Sequence, residues 1–586
     1  MFNMIKPAFL SIGLISSTMH PVASAAPVTP VSEDSQESHQ ARMKWWNEAR
    51  FGMFIHFGLY SVHGGVWNGK KTNFYAEWIQ ATFDIKLEDY VHLSKKFNPN
   101  EFNADDIVLT AKKAGMKYLV ITTKHHDGFC LWPTQQQTDW NITATPFKRD
   151  LIGELAAACK KHGIRFGTYY SISDWHHPSQ YIHRDAKGRA TEDSYFQTRM
   201  HEGRKAEYLA YMKAQIAELI KNYDTDIIWF DADWVGWWTL EEGQELYRYI
   251  RSLKPSIIIN NRVAKRNKFK FDFGTPENET PESTLDHAWE ACWTMNNSWG
   301  YKSHDNSWKS SQELVRKLVD ISSKGGNLLL NVGPRGDGLI PGPSVERLAD
   351  LGKWMERNGE SIYGTAASPF GKLRWGRCTA RNSPSGATLY LHVFDWPKDG
   401  KLVLPGLKNA VLSAQLLGKD GNLTFDKQGS LVLLQVPDQA PDPTLSVIKL
   451  EIQGSPDIVP MPSLPGKLSA SSTWSAPGHE PSMAGDGKLS TRWSAAATAK
   501  QGHLEIDLEN ETSVGNAFIV ENYAHRTEEF ALEYWQDGLW KEAWRGTKIA
   551  GEKWLSFPPV KAKKFRLNIL KAKDVPTIEE FSLYAH

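Results

Sequence analysis

Apolar residues recur along this chain at two spacings. Short uninterrupted runs read as strands buried on both faces, the kind found in parallel sheets. They are Phe51–Gly58 (FGMFIHFG), Lys117–Thr123 (KYLVITT), Arg165–Ser171 (RFGTYYS), the stretch Asp226–Trp234 (DIIWFDADW), Ser256–Asn261 (SIIINN), His287–Thr294 (HAWEACWT) and Asn327–Val332 (NLLLNV). Amphipathic stretches between them predict helices around Ala104–Ala114, Leu151–His162, Arg204–Asn222, one ending near Ser252, Ser311–Ser322 and Ser344–Arg357. Strand and helix alternate about seven times over roughly 320 residues, the signature of a parallel α/β architecture. A (β/α)8-like barrel fits that length best. A doubly wound open sheet is the rival, but no Gly-rich nucleotide loop follows the first strand. GGVWNG at Gly64–Gly69 lacks the spacing, and SSKGGN at Ser322–Asn327 precedes a strand rather than a helix.

After about Ile362 the helical pattern stops. Short strands such as Ala387–Phe394, Lys401–Leu404 and Ser430–Gln435, parted by Gly, Pro, Asp and Lys turns, predict a β-sandwich. Pro-rich text marks a linker, and short strands then resume to the end of the chain. The expected organisation is an export signal over residues 1–25, a flexible leader over 26–40, a catalytic barrel over 41–362, a sandwich over 363–453, a linker over 454–466 and a second sandwich over 467–586. Lys6, the apolar run Ala8–Ile15 and the small-residue site Ala23-Ser24-Ala25 give the signal its layout and predict a secreted or periplasmic protein. No later stretch is apolar for long enough to span a bilayer.

Composition narrows the chemistry only a little. A formal charge of +1 gives no basic excess for nucleic acid. The 24 Trp are a surplus that suits stacking against sugar rings, although most aromatics in any fold are core. Cys130, Cys159, Cys292 and Cys378 are too widely spaced for a zinc or redox pair.

Polar residues cluster where the predicted strands end: His56; His125, His126 and Asp127; Tyr169 and Tyr170 followed by Asp174; Asp231; Asn260, Asn261 and Arg262; with Glu277 and Glu290 near the later strands. A barrel gathers such ends into one pocket. A metal site is disfavoured, because adjacent His125 and His126 on a strand point to opposite faces. No cofactor is expected. Carboxylates from different strands, amid neutral hydrogen-bonding groups, suit glycoside cleavage. Asp231, at the end of its strand, could equally cap the following turn. The rival from another class is a non-catalytic glycan-binding protein on the same scaffold.

Seven segments carry a specific resemblance: Trp45–Gly58, Tyr75–Trp78, Thr123–Phe129, Tyr169–Ser171 with Asp174-Trp175, Trp229–Asp231, Trp289–Cys292 and Asn327–Pro334. Over about residues 40–450, in family order, they resemble the α-L-fucosidases of glycoside hydrolase family 29. The resemblance implies a barrel with a C-terminal β-sandwich and a retaining mechanism acting on fucosylated glycans. It implies Asp231 as nucleophile, with His56, Glu77, Trp78, His125, His126, Tyr170, Trp229 and Arg262 around the sugar. Family members differ in their acid/base. Glu290, in the WEAC motif, is the first expectation and Glu277, in TPE, the second. Asp233 matches no family role and reads as a turn residue or an aglycone contact. The closing unit, through GDGKLSTRW and Lys564–Leu570 with Thr577–Phe581, resembles a discoidin-like (coagulation factor type C) module. Such modules bind glycan or simply pack on the barrel; Asp486 is the position offered for calcium.

Overall fold

A computed structural model describes residues 35–585, apart from positions 267, 269, 270, 372, 374, 398, 399, 429, 430, 460–462, 489, 524, 525 and 550. The expected export signal lies outside the described residues. Seven strands form one parallel sheet: β1 (Phe51–Ile55), β2 (Tyr118–Lys124), β3 (Arg165–Ser171), β4 (Ile227–Asp231), β5 (Ile258–Ile259), β6 (Glu290–Thr294) and β7 (Asn327–Val332). Their spatial order is β6-β7-β1-β2-β3-β4-β5. The apolar runs form strands because helices cover their outer side while aromatic side chains fill the interior.

The gap between β5 and β6 is filled by an irregular eighth segment. Phe273 bridges to Asn260, Gly274 to Trp289 and Glu277 to Cys292, all in parallel sense. The Asp272 and Glu290 amides donate to Ile259 and Gly274 carbonyls, which ties this segment to both neighbours. Closure thus depends on residues 272–278, which have no apolar periodicity of their own.

The helices match the predicted ones to within about two residues, as at Leu151–His162, which Asp150 caps and Gly163 ends at φ 70°. The leader expectation is corrected. Residues 36–40 are not a flexible tail but the first turns of a helix, Gln36–Ala49, capped by Ser35. That helix puts Met43 and Trp46 against the aromatic interior of the barrel, so the apolar contact orders it. Beyond the barrel, Gly376–Ser383, Gly386–Val393, Ser446–Gln453 and Val411–Leu416 form one antiparallel sheet, with a three-stranded sheet beside it around a shared core. The last unit is a further antiparallel β-structure with a separate core that includes Trp493, Phe530 and Phe565. All four cysteines are buried and free. No described helix is long and apolar enough to cross a membrane.

Candidate active site

The carboxyl ends of the strands open into a cavity of about 480 Å³. Strand alternation decides which side chains reach it. Phe54, Tyr169, Trp229 and Cys292 point inward from β1, β3, β4 and β6. His56 follows β1, and its Nδ1 lies 2.7 Å from Oδ1 of Asn331 on β7. His125 and His126 follow β2 at a tight turn in which the Gly128 amide donates to the His125 carbonyl. Because the strand has already ended at Lys124, the alternation expected of this pair does not hold. Both rings line the pocket, with centroids 4.2 Å apart. Gly128 is required at that turn: its φ is +74°, and a Cβ there would lie 2.2 Å from Asp174 Oδ1.

Asp231 ends β4 at the pocket wall. Arg262 Nη1 donates to its Oδ1 at 2.6 Å and the Tyr169 hydroxyl to its Oδ2 at 3.0 Å. His126 Nε2 is 3.9 Å from Oδ2. Burial pushes this carboxyl up, but the opposing charge of Arg262, helped by His126 and Arg266, holds it down at about 2. Arg262 is itself buried. Its Nε donates to Thr275 Oγ1 and its Nη2 to Glu277 Oε2, at 2.9 and 2.8 Å. One guanidinium therefore carries Asp231 on one terminal nitrogen and Glu277 on the other. The Glu277 side chain is 37% exposed, against 12% for Asp231.

The surrounding groups are neutral hydrogen-bonders or apolar walls. Burial lowers the imidazoles of His56 to about 3 and of His126 to about 4, and that of His125 well below its ordinary value. Burial raises the Glu77 carboxyl to about 7. Glu77 Oε2 accepts from the Gly300 amide at 2.8 Å, while Oε1 has no hydrogen-bonding side-chain partner among the described residues. Trp78 packs edge-on against His126 and Trp175.

Two expectations are corrected. Tyr170 does not reach the pocket. It faces the outer core, and its hydroxyl donates to Gln215 at 2.7 Å. Its neighbour Tyr169, one residue out of phase, holds Asp231. Glu290 is not in the pocket either. As the first residue of β6 it lies at the amino end of the sheet, roughly 7 Å along the strand below Cys292. It is fully buried and accepts hydrogen bonds from the Tyr118 hydroxyl and from Trp229 Nε1. Asp233 fits its expectation as a turn residue: it pairs with Arg266 at 2.8 Å, beside the mouth.

Sequence reasoning misses Tyr169 as the partner of Asp231, and it misses Asn331, Trp234, Arg266 and Trp299. Trp229, which the sequence does single out, pairs in register with Tyr169; knowledge of that register would find it.

Known proteins resemble this chain over its barrel, its sandwich and its last unit. The alpha-L-fucosidase family model matches residues 18–360, and the F5/8 type C domain model matches residues 467–581. Human tissue alpha-L-fucosidase is 30% identical over 420 residues, covering 68% of this chain and 86% of the relative. Alpha-L-fucosidase isoenzyme 1 from Paenibacillus thiaminolyticus is 36% identical with a TM-score of 0.63, covering 71% of this chain and all of that one. The alpha-L-fucosidase from Vibrio sp. strain EJY3 is 26% identical with a TM-score of 0.68, over 93% and 98% of the two chains. This chain belongs to the alpha-L-fucosidase family of glycoside hydrolases and carries an F5/8 type C (discoidin-like) domain after its barrel and sandwich.

Proposed function

We propose that this protein is an exported, retaining exo-α-L-fucosidase in which Asp231 is the nucleophile and Glu277 the acid/base. One observation carries the reading: Arg262 holds both carboxylates at the pocket, one sheltered and one more open. A nucleophile must be ionised, and the Arg262 charge keeps Asp231 so. An acid/base must exchange protons with a leaving group and with water, which the exposure of Glu277 permits.

In the first step an oxygen of Asp231 attacks the anomeric carbon. The glycosidic bond breaks, and Glu277 in its acid form gives its proton to the departing oxygen. In the second step Glu277 takes a proton from water, the water oxygen attacks the same carbon, and Asp231 leaves with its electron pair. His56, His125, His126 and the free Oε1 of Glu77 offer donors and acceptors to ring hydroxyls. Phe54, Trp229 and Trp299 offer an apolar wall for C–H faces and the methyl group. A 31%-identical family GH29 enzyme from Bacteroides thetaiotaomicron, solved as a trapped covalent intermediate with 2-fluoro-fucosyl fluoride, supports the two-step course.

Export rests on the signal-like layout of residues 1–25; a mature chain beginning near Ala26 would bear it out, and retention of Met1 would reject it. Glycan contact by the discoidin-like domain rests on the family match over 467–581. The acid/base is tested by azide rescue with an aryl fucoside. Glu277→Ala should lose turnover and regain it with azide, while Glu290→Ala should show no rescue. The reverse pattern would overturn the assignment.

A further inference from the structure

Glu290 has no path to a sugar, yet it is not a passive core residue. It is fully buried, and among the described residues only burial and hydrogen bonds from the neutral Tyr118 and Trp229 act on it, with no cation. Its acceptor capacity is used by Tyr118 and by the indole N–H of Trp229, the latter at 3.0 Å. A buried carboxyl with no counter-ion is costly, and an apolar side chain of similar size would fill the place at less cost.

Trp229 connects this floor to the pocket. Its edge donates downward to Glu290. The guanidinium of Arg262 sits 4.6 Å from its ring centroid. The ring of Tyr169 lies nearly parallel to it, at 17° and 5.8 Å. Among the described residues, Arg262 and Tyr169 are the two groups whose side chains donate hydrogen bonds to the Asp231 carboxylate. Both therefore rest on one indole whose rotation is fixed from below. An acceptor on the N–H also makes the ring face more negative, which strengthens its hold on a cation.

We propose that Glu290 is a positioning residue: by accepting the Trp229 N–H it fixes the ring that seats Arg262 and Tyr169, and so aims Asp231. The inference deepens the reading of Asp231 as nucleophile and rests on it. Its tests separate the two.

Glu290→Gln keeps an oxygen acceptor for the indole and should hold kcat/KM within about 3-fold of the parent, with both limbs of the pH–rate profile in place. Glu290→Met keeps the volume and removes the acceptor. Its kcat should fall by about 30- to 100-fold with a smaller change in KM, because misplacement of a reacting group by about 1 Å costs that order. Azide should not restore it. Should Glu290→Met fail to fold, Trp229→Phe removes the donor instead, and Trp229→Phe combined with Glu290→Met should be no worse than Trp229→Phe alone, since both partners are then apolar. Three kinetic results would overturn the proposal: full activity in Glu290→Met, loss of the alkaline limb in Glu290→Gln, or a double variant far below Trp229→Phe. Crystal structures read the same point without any sugar. In Glu290→Met the Trp229 ring should turn and the Arg262–Asp231 contact should lengthen from 2.6 Å; an unmoved ring rejects the proposal. Failure of the parent enzyme to release fucose would instead count against the functional reading and leave those distances to judge Glu290.

Discussion

The two ends of the barrel hold a buried carboxylate each, and the two behave oppositely. At the mouth, Asp231 has Arg262 at 2.6 Å and is held down at about 2. At the floor, Glu290 has only neutral donors, and burial pushes it up to about 7. Both are taken out of water, so burial alone does not set the protonation state. The presence or absence of a cation does, because charge–charge attraction in a low-dielectric site can exceed the desolvation cost. On the roles proposed above, the comparison also separates two uses of an acid: one that needs its charge for chemistry, and one that needs only its acceptor oxygen.

The largest effect should come from removing the charge at the mouth. Asp231→Ala should cut hydrolysis of an aryl fucoside by about 10³-fold or more while the circular dichroism spectrum is unchanged. Turnover near the parent level would end the assignment. Next comes the cation. Arg262→Met leaves Asp231 buried with only the more distant Arg266, at 3.7 Å, as a cationic partner, which should destabilise the fold by about 3 kcal/mol in denaturant unfolding and slow turnover by roughly 10²-fold. A stable, active variant would show that the guanidinium is dispensable and that the contrast between the two ends has another cause.

The pH dependence of stability sharpens the contrast by its sign. The folded value of Asp231 lies below its ordinary one, so its contribution is present above about pH 4 and is lost as pH falls through 2. The folded value of Glu290 lies above its ordinary one, so its contribution is full below about pH 4.5 and is lost as pH rises through 7. Accordingly, the stability advantage of the parent over Glu290→Gln should shrink between pH 4.5 and 7, by up to a few kcal/mol. The advantage over Asp231→Asn should shrink only toward pH 2. Parallel curves for the two variants would contradict the assignment of opposite shifts. The smallest effect lies in the backbone just after Asp231. Ala232 sits at φ 67°, a region that costs an alanine roughly 1–2 kcal/mol. Ala232→Gly should raise thermal stability slightly and lower kcat by a few-fold, as Asp231 loses a rigid neighbour; a loss of stability would show that no strain is held there.

Much of this architecture is legible in the sequence alone. The strands and helices of the barrel announce themselves by uninterrupted apolar runs and amphipathic spacing, because each is buried on both faces or on one. The strand-end residues His56, His125, His126, Asp231 and Arg262 do meet in one pocket. The failures have physical reasons. Tyr169 and Tyr170 differ only in which side of β3 they occupy, and that phase is set by pairing with β4, not by either residue. Glu277 and Glu290 are both close to β6 in sequence, but only Glu290 lies in it, at its first position. The motif text around Glu290 says nothing about where the strand begins, and the TPEN segment that carries Glu277 is an irregular barrel strand without a periodic pattern. The left-handed residues Ala232 and Asn278 directly follow Asp231 and Glu277; Asn is a residue type that favours this conformation, but alanine gives no signal of it, so the turn after Asp231 is hidden in the sequence.

The helix that lines the barrel floor has a consequence for the order of assembly during synthesis. Its Trp46 carbonyl accepts from Asn327, 281 residues later, and Arg50 just beyond it donates to the carbonyls of Gly325 and Thr365. The adjacent β1 finds one of its two partner strands only when β7 emerges. At about 5–20 residues per second, the first helix and strand must wait on the order of 15–60 seconds for the chain that completes them. During that interval the Trp46 carbonyl, Arg50 and one edge of β1 lack their final partners, so the earliest part of the barrel is among the last to be secured.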